Sequence, residues 1–536
     1  MRSEAGREGK ATTAPFSGGN TTESQKGQQQ QHCPHSKAFI EVMSNDIAEI
    51  EEAKIPGNYS ARKIQRWNPS SIYATNIEHK EPPPSNDDAI HENIPADHVA
   101  PAQMYSTDSG KLFHAGSICL IMVGLPGRGK TNLSISLCRY LRWLGVRTKL
   151  FHLGDYRRKN TDFKGDSGLN FEKLLSTSYF TSSPDNIDIK LLKLKIKNEL
   201  ISDIITYFHT SNGQIAIYDA INGVPSEREE LLNYFKAKNI RCLFIESIVD
   251  DMDLLSGNIR DSVNSPDYSG WDSETALDNF KKRIMISEKY YENLDSHSKL
   301  PFIQSFNFGE KMLINELKHD FLTTKIVYYL LNARIKSHSI YFARCSLNKL
   351  KFKDDPPITE SGKEYINKIY KTLAADFPDG KIPKELVVWT STRLRTIQSS
   401  ELFKHARCVV RHRPELTQLN PGAAEGLTDD ELNKKYHADY LKHKADPYHH
   451  RYPRAESYHD LALKIEPLIL EMEKLSEDIL VIADETVIRI FYGYLMAANA
   501  NDIPQIEFPQ NEIIKITYHT YNNEIKRLVV EGIESE

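Results

Sequence analysis

Six cysteines in 536 residues, at 33, 119, 138, 242, 345 and 408, are too few and too scattered for a disulfide frame. There is no Cys-x-x-Cys pair and no His/Cys metal spacing, which excludes a zinc site and suits reduced thiols in a cytosolic protein. No apolar run approaches the ~18 residues that a membrane span needs. The start, Met1-Arg-Ser-Glu-Ala-Gly-Arg, lacks the apolar h-region of a secretory signal. Basic residues are not in excess, because 68 Lys and Arg face 73 Asp and Glu for a net charge of −5. That balance gives no electrostatic footprint for nucleic acid or an anionic membrane. The chain therefore reads as soluble and cytoplasmic, with neither nucleic acid nor membrane as partner.

Apolar patterning is also missing from residues 1–108, which carry Gln28 to Gln31 and Pro82-Pro-Pro-Ser. Such a segment cannot bury enough apolar surface to offset the entropy of ordering, so a disordered, low-complexity tail is expected. Ile64 to Tyr73 is the one stretch of it with the apolar content to dock locally. The rest of the chain has length for two domains.

What is present begins with Ile118-Cys-Leu-Ile-Met-Val-Gly124-Leu-Pro-Gly127-Arg-Gly129-Lys130-Thr131. The continuous apolar part predicts a buried parallel strand. It ends in Gly-x-x-x-x-Gly-Lys-Thr, whose glycines let successive backbone N–H groups turn toward phosphate oxygens. The cradle would comprise Gly124, Leu125, Pro126, Gly127, Arg128, Gly129, Lys130, Thr131 and Asn132. Lys130 would reach the β- and γ-phosphates of ATP, and the Thr131 hydroxyl would ligate Mg²⁺. An amphipathic helix from Leu133 to Leu144 follows at once and adds the favourable end of its dipole.

A second strand at Val146–Leu153 should run into a loop carrying Arg157 and Arg158. A helix spans about Ile187 to Phe208, and a third strand ends in Asp219. A carboxylate at that strand end sits beside Mg²⁺ and the reacting phosphate, which makes Asp219 the candidate for organising metal or accepting a hydroxyl proton. A fourth strand reaches Ile248, Ser265-Pro-Asp-Tyr268 turns, and Glu274 to Tyr291 is helical. This alternation predicts an α/β domain over residues 109–336, an open parallel sheet with helices on both faces. Ligands in such sheets bind at the carboxyl ends of the strands, where Lys130, Arg157 and Asp219 would converge. Strands at Ser339–Arg344, Leu386–Thr390 and Ile479–Ala483, with a helix at Tyr458–Leu475, make residues 337–536 a second α/β domain.

These motifs resemble the bifunctional 6-phosphofructo-2-kinase/fructose-2,6-bisphosphatases from about Cys119 to Thr520. The kinase side carries Val123-Gly-Leu-Pro-Gly-Arg-Gly-Lys-Thr, Gly154-Asp-Tyr-Arg-Arg, Tyr218-Asp-Ala-Ile-Asn, Ile245-Glu-Ser and Ser265-Pro-Asp-Tyr. The other side carries Ser339-Ile-Tyr-Phe-Ala-Arg, Thr390-Ser-x-x-x-Arg395-Thr-Ile-Gln and Arg451-Tyr-Pro-Arg-Ala-Glu-Ser-Tyr458. The resemblance implies a P-loop kinase domain followed by a phosphoglycerate-mutase-like (histidine phosphatase) domain, and suggests a homodimer. It also implies that an Arg-His-Gly opening, a second histidine and a glutamate acid should serve the phosphatase. Here the opening is Arg344-Cys345-Ser346, the second histidine's place holds Asp484, and the acid's place holds Gln418. An amide cannot donate a proton as a carboxylic acid does, and Asp484 would repel phosphate. Losing a nucleophile alone can cost on the order of 10⁶ in rate, so this half is expected to be inactive. Arg344, Arg395 and Arg489 remain, enough for weak binding of a phosphorylated ligand.

For fructose 6-phosphate the resemblance implies a site built by Arg157, Arg283, Lys193 and Arg228. Several of the family's side chains are replaced, by Ile221, Glu227, Val249 and Ser287, and a lysine is absent from Ser262-Val263-Asn264. Each lost charged contact to phosphate would cost ~1.5–3 kcal/mol. Three readings follow. The chain is a 6-phosphofructo-2-kinase without phosphatase activity, an ATP-binding regulator that has lost both chemistries, or a kinase for another phosphorylated metabolite.

Overall fold

The computed structural model describes residues 98–103, 116–160, 177–181, 186–334, 338–345, 352–517 and 523–533. The low-complexity stretch up to residue 97, with Ile64 to Tyr73, lies outside the described residues, as does the loop 346–351 that follows Cys345.

The N-terminal domain is built on six strands: β1 (Ile118–Val123), β2 (Thr148–His152), β3 (Ile215–Asp219), β4 (Arg241–Ile248), β5 (Phe302–Phe306) and β6 (Lys311–Asn315). Their order is β2-β3-β1-β4-β5-β6. All six side chains of β1 are buried, as its unbroken apolar run requires of a central parallel strand. The first five strands run parallel, while β6 returns antiparallel to β5 at the edge. The alternation argument missed β5 and β6, because Gly309 turns them as a hairpin with no helix between them.

The helices are α1 (Lys130–Trp143), α2 (Leu153–Lys159), α3 (Ile187–Thr210), α4 (Pro225–Ala237), α5 (Met252–Ser262), α6 (Ser273–Glu288) and α7 (Phe321–Asn332). The loop expected to carry Arg157 and Arg158 is the helix α2, seven residues long. Its first turn holds Asp155 and its last turn the basic residues, as the helix dipole favours. Asn186, Asp251, Asp272 and Asp320 cap α3, α5, α6 and α7 through side-chain acceptors.

The C-terminal domain has β7 (Ser339–Arg344), β8 (Val387–Thr390), β9 (Val409–His412), β10 (Ile479–Ala483), β11 (Glu512–Thr517) and β12 (Glu524–Val529) in the order β12-β11-β7-β10-β8-β9. Here too the edge departs from parallel, since β11 runs antiparallel to both β7 and β12. Helices α8 (Glu360–Asp376), α9 (Tyr458–Lys474) and α10 (Glu485–Leu495) pack on it.

The P-loop helix joins the two domains. Tyr140 on α1 stacks on Tyr329 of α7 with ring centroids 4.7 Å apart, and its hydroxyl donates to Glu466 Oε1 of α9 at 2.8 Å. Trp143 meets Tyr494 of α10 edge-on at 5.6 Å. One buried cluster therefore runs through both halves. Six residues of the expected tail are also packed here: Ala102 N donates to Trp143 O, Ala500 N to Val99 O, and the Tyr448 hydroxyl to Pro101 O. No helix among the described residues is long and apolar enough to cross a membrane.

Candidate active site

The carboxyl ends of β1, β2, β3 and β4 meet at the P-loop. Gly124 adopts φ 144°, and a Cβ there would lie 2.8 Å from the Ser247 carbonyl, so only glycine fits. Its N–H donates to Ile221 O at 3.1 Å, and the Ser247 hydroxyl donates to Arg128 O at 2.6 Å, which pins the loop to β3 and β4. Gly129 in the left-handed region caps α1 with no side-chain hydrogen bond, and the first turn carries no acidic side chain, so its N–H end suits an anion.

Lys130 is buried and donates to Leu125 O at 2.7 Å. Burial brings its ammonium down to about 7 against the pull of Asp219, and Arg283 and Arg128 add repulsion. The Thr131 hydroxyl donates to Asp219 Oδ2 at 2.7 Å. Burial would raise the Asp219 carboxyl, but His152, Lys130 and Thr131 outweigh it and hold it below the ordinary range. The predicted pair for Mg²⁺ is thus in contact, a hydroxyl beside an ionised carboxylate, and that hard oxygen set suits the ion. Among the described residues no cluster of three His, Cys, Asp or Glu could cage a metal alone.

Beside this cradle lies a partly buried arginine cluster. Asp267 pairs with Arg157, with Arg158 Nη1 at 2.5 Å and with Arg283 Nη1 at 3.5 Å. Burial would raise the Asp267 carboxyl, yet the three guanidinium groups drive it far below the carboxylate range. Arg283 lies over the Phe180 ring at 4.5 Å and Arg157 over the same ring at 5.5 Å. Lys193 reaches the edge of this group, 5.7 Å from the Tyr179 ring, with its ammonium on Thr181 O at 2.7 Å.

Arg228 sits elsewhere. It is buried on α4, where Glu246 and Tyr291 are its principal electrostatic partners, and it makes no pair with Asp267. Glu227 turns outward to Lys197 at 3.4 Å. Ser287 is fully buried and donates to Arg283 O at 2.9 Å, and Val249 is buried as well.

In the C-terminal domain, Arg344, Cys345, Arg395, Gln418, Asp484 and Arg489 gather at the ends of β7, β8 and β10. Cys345 N donates to Ala483 O at 2.8 Å. Burial, with Asp484 adding repulsion, pushes its thiol up to about 12. Asp484 caps α10, accepting from Thr486 N and from the Thr486 hydroxyl at 2.8 Å. Glu485 lies between two arginines, 2.6 Å from Arg489 Nη2 and 3.5 Å from Arg344 Nη2. Arg395 Nη2 donates to Gln418 Oε1 at 2.6 Å.

Residues 105–337 match the family described as 6-phosphofructo-2-kinase, and residues 344–531 match the histidine phosphatase superfamily, branch 1. A Saccharomyces cerevisiae protein provisionally named 6-phosphofructo-2-kinase/fructose-2,6-bisphosphatase is 35% identical over 510 residues, 91% of this chain and 97% of that one. The 6-phosphofructo-2-kinase/fructose-2,6-bisphosphatase 3 of Rattus norvegicus is 33% identical over 424 residues, 78% of this chain and 72% of that one. The chain belongs to this family. Among solved structures, the alpha-ribazole phosphatase from Shigella flexneri is 16% identical and covers 37% of this chain and 99% of its own, with a TM-score of 0.31.

Within the family frame, the structure brings Lys130, Thr131 and Asp219 together and sets Arg157 and Arg283 around Asp267. It adds Asp267, His152 and Glu485, to which the sequence reading gave no role. Asp267 had a signal, being the one carboxylate in a motif next to a site rich in arginine. His152 had none, because the strand register that sets it beside Asp219 is a long-range property.

Proposed function

We propose that this chain is a 6-phosphofructo-2-kinase, moving the γ-phosphoryl of ATP to the 2-hydroxyl of fructose 6-phosphate, and that its C-terminal domain no longer hydrolyses fructose 2,6-bisphosphate. The observation that carries the reading is the pairing of two anion sites on one sheet edge. A P-loop with its Thr131–Asp219 contact stands within electrostatic reach of the Arg283 end of the arginine cluster. Lys130 would hold the β- and γ-phosphates, and Arg157 and Arg283 would hold the sugar phosphate. Thr131 and Asp219 would hold Mg²⁺, which supplies charge neutralisation at the transferring phosphoryl group. Asp219 would accept the acceptor hydroxyl's proton or order the metal's waters.

The silent phosphatase rests on Cys345, whose thiol stays protonated near neutral pH, and on a pocket whose arginines already face Glu485. A homodimer belongs to this reading too, since Leu313 and Ile314 are exposed on the edge strand β6.

An assay for fructose 2,6-bisphosphate from ATP and fructose 6-phosphate tests it. Product formation that Lys130→Met abolishes supports the kinase, and no product at millimolar substrate refutes it. ATP binding without turnover would favour the regulator, a reading that draws on the parallel replacements in the two sites, Ile221, Val249 and Ser287 among them. The same replacements would suit a kinase for another phosphorylated metabolite, which a panel of sugar phosphates separates.

A further inference from the structure

Asp219 is 1% exposed, and the hydrogen bonds it accepts all fall on one oxygen. Oδ2 takes the Thr131 hydroxyl at 2.7 Å and His152 Nδ1 at 2.8 Å. A carboxylate is acceptor-only when ionised, so the ring nitrogen is the donor. His152 ends β2 and stands in register with Asp219 at the end of β3. Neighbours at matched positions on parallel strands project to the same face, which is why the two side chains meet. His152 is also the residue before α2, yet its side chain makes no capping hydrogen bond there. Its ring is engaged by Asp219 instead.

The other side of the ring packs on Gly154. A Cβ on that glycine would lie 2.5 Å from His152 Nε2 and 2.9 Å from Cδ2. Gly154 is helical with no positive φ, so it is not glycine for the sake of its backbone. The missing side chain makes room for the imidazole, which is wedged between Asp219 and α2.

We infer that His152 is a positioning residue for phosphoryl transfer: its Nδ1–H, with the Thr131 hydroxyl, fixes Asp219 Oδ2 and leaves Oδ1 to serve the metal's waters or the acceptor hydroxyl. His152 neither gives nor takes a proton in this role. It sets the plane of a carboxylate that must not rotate during the reaction. A misplacement of about 1 Å in such a group can cost on the order of 100-fold in rate.

The inference rests on the proposed kinase activity, so its test has two arms, both on the full-length protein. In the kinetic arm, His152→Ala lowers kcat by about 10- to 100-fold with KM for both substrates within about threefold. His152→Asn keeps a short N–H donor and stays within about threefold of wild type. Gly154→Ala, acting through the ring, behaves as His152→Ala does. Combining Gly154→Ala with His152→Asn restores the rate, because the amide is smaller than the ring. In the binding arm, calorimetry compares ATP in EDTA with ATP in Mg²⁺. His152→Ala leaves metal-free ATP affinity unchanged and loses most of the gain that Mg²⁺ confers.

Wild-type kcat in His152→Ala, an Asn variant as poor as the Ala variant, or equal loss of ATP affinity with and without Mg²⁺ would each overturn the inference. Absence of turnover in the wild type would defeat the proposed kinase while leaving the binding arm to decide His152.

Discussion

Asp267 offers the sharpest test of how the acceptor site is built. Three arginines share this one carboxylate, and both Asp267 and Arg157 are about 95% buried. Asp267→Asn keeps the shape and removes the charge, which leaves the buried Arg157 and the half-buried Arg158 and Arg283 guanidinium groups facing one another. Arg158 retains Asp155, but Arg157 and Arg283 pair with no second carboxylate among the described residues. Breaking a buried pair in this way costs about 3–5 kcal/mol. For a domain of this size each kcal/mol moves Tm by roughly 2–4 °C, so the N-terminal domain should melt about 6–20 °C lower.

The sign with pH is fixed by the direction of the shift. The folded carboxyl of Asp267 lies far below its ordinary value, so its contribution is fully present above the unfolded pKa and fades only as pH falls through the folded one. Between pH 5 and 8 the deficit of the variant should therefore be constant. A phosphate monoester supplies the missing negative charge. Fructose 6-phosphate, or inorganic phosphate in its place, should raise the melting temperature of Asp267→Asn more than that of the wild type. Differential scanning fluorimetry across pH and phosphate concentration reads both effects. A variant that melts within about 2 °C of wild type, with no larger response to phosphate, would refute the view of Asp267 as the counter-charge of an anion site.

Other consequences are as direct. With the Lys130 ammonium near 7 in the free protein, bound phosphates should restore its charge, so ATP binding takes up a proton near pH 7 and weakens as pH rises above that value. Calorimetry in buffers of different ionisation enthalpy measures the uptake, and Lys130→Met should abolish that share of it. Gly124→Ala should lose nucleotide binding altogether, since its Cβ meets a backbone carbonyl at 2.8 Å that cannot step aside; equilibrium binding of a fluorescent ATP analogue checks this. Wild-type protein and Cys345→His should both release no phosphate from fructose 2,6-bisphosphate, because Asp484 still faces the site. Phosphate release by the wild type would overturn the silent-phosphatase reading. Charged substitution at Leu313 and Ile314 should shift the protein to monomer in light scattering if β6 pairs two copies.

The parts of this molecule that were legible in advance are those written locally. The strand, the glycine loop and the amphipathic helix around Gly124 to Thr131 lie within one continuous stretch, and the structure folds it as read. The α3 span, read as about Ile187 to Phe208 and found as Ile187–Thr210, was equally local. What escaped needed long-range information. The β5–β6 hairpin breaks the strand–helix rhythm, and nothing near Phe302 announces that the next strand reverses. Arg157 and Arg158 stand next to two polar residues and read as loop, yet burial of Tyr156 and the pairing of Arg157 with Asp267 hold them in a helix. Arg228 illustrates the converse limit. Its position in sequence suggested the sugar site, and its place on α4 sends it toward Glu246.

The two domains treat their arginines in related ways, and the difference between them bears on function. In the N-terminal site Asp267 and Asp155 face three guanidinium groups, and the cluster keeps a net positive charge to which Lys193 and Lys130 add. In the C-terminal pocket Arg344 and Arg489 pair with Glu485, Arg395 donates to the Gln418 oxygen, and Asp484 adds a second negative charge beside Cys345. Three positive groups less two negative ones leave little field for a multiply charged ligand. The nucleophile's position adds a thiol that is kept protonated by its own burial and by Asp484. On the proposed reading these features act together, against the nucleophile, the acid and the attraction at once. The P-loop site has undergone no such change, since Lys130, Thr131 and Asp219 remain in mutual reach with His152 holding the carboxylate. On the proposed reading the chemistry of this chain lies in its N-terminal domain, to which the C-terminal domain packs through α1.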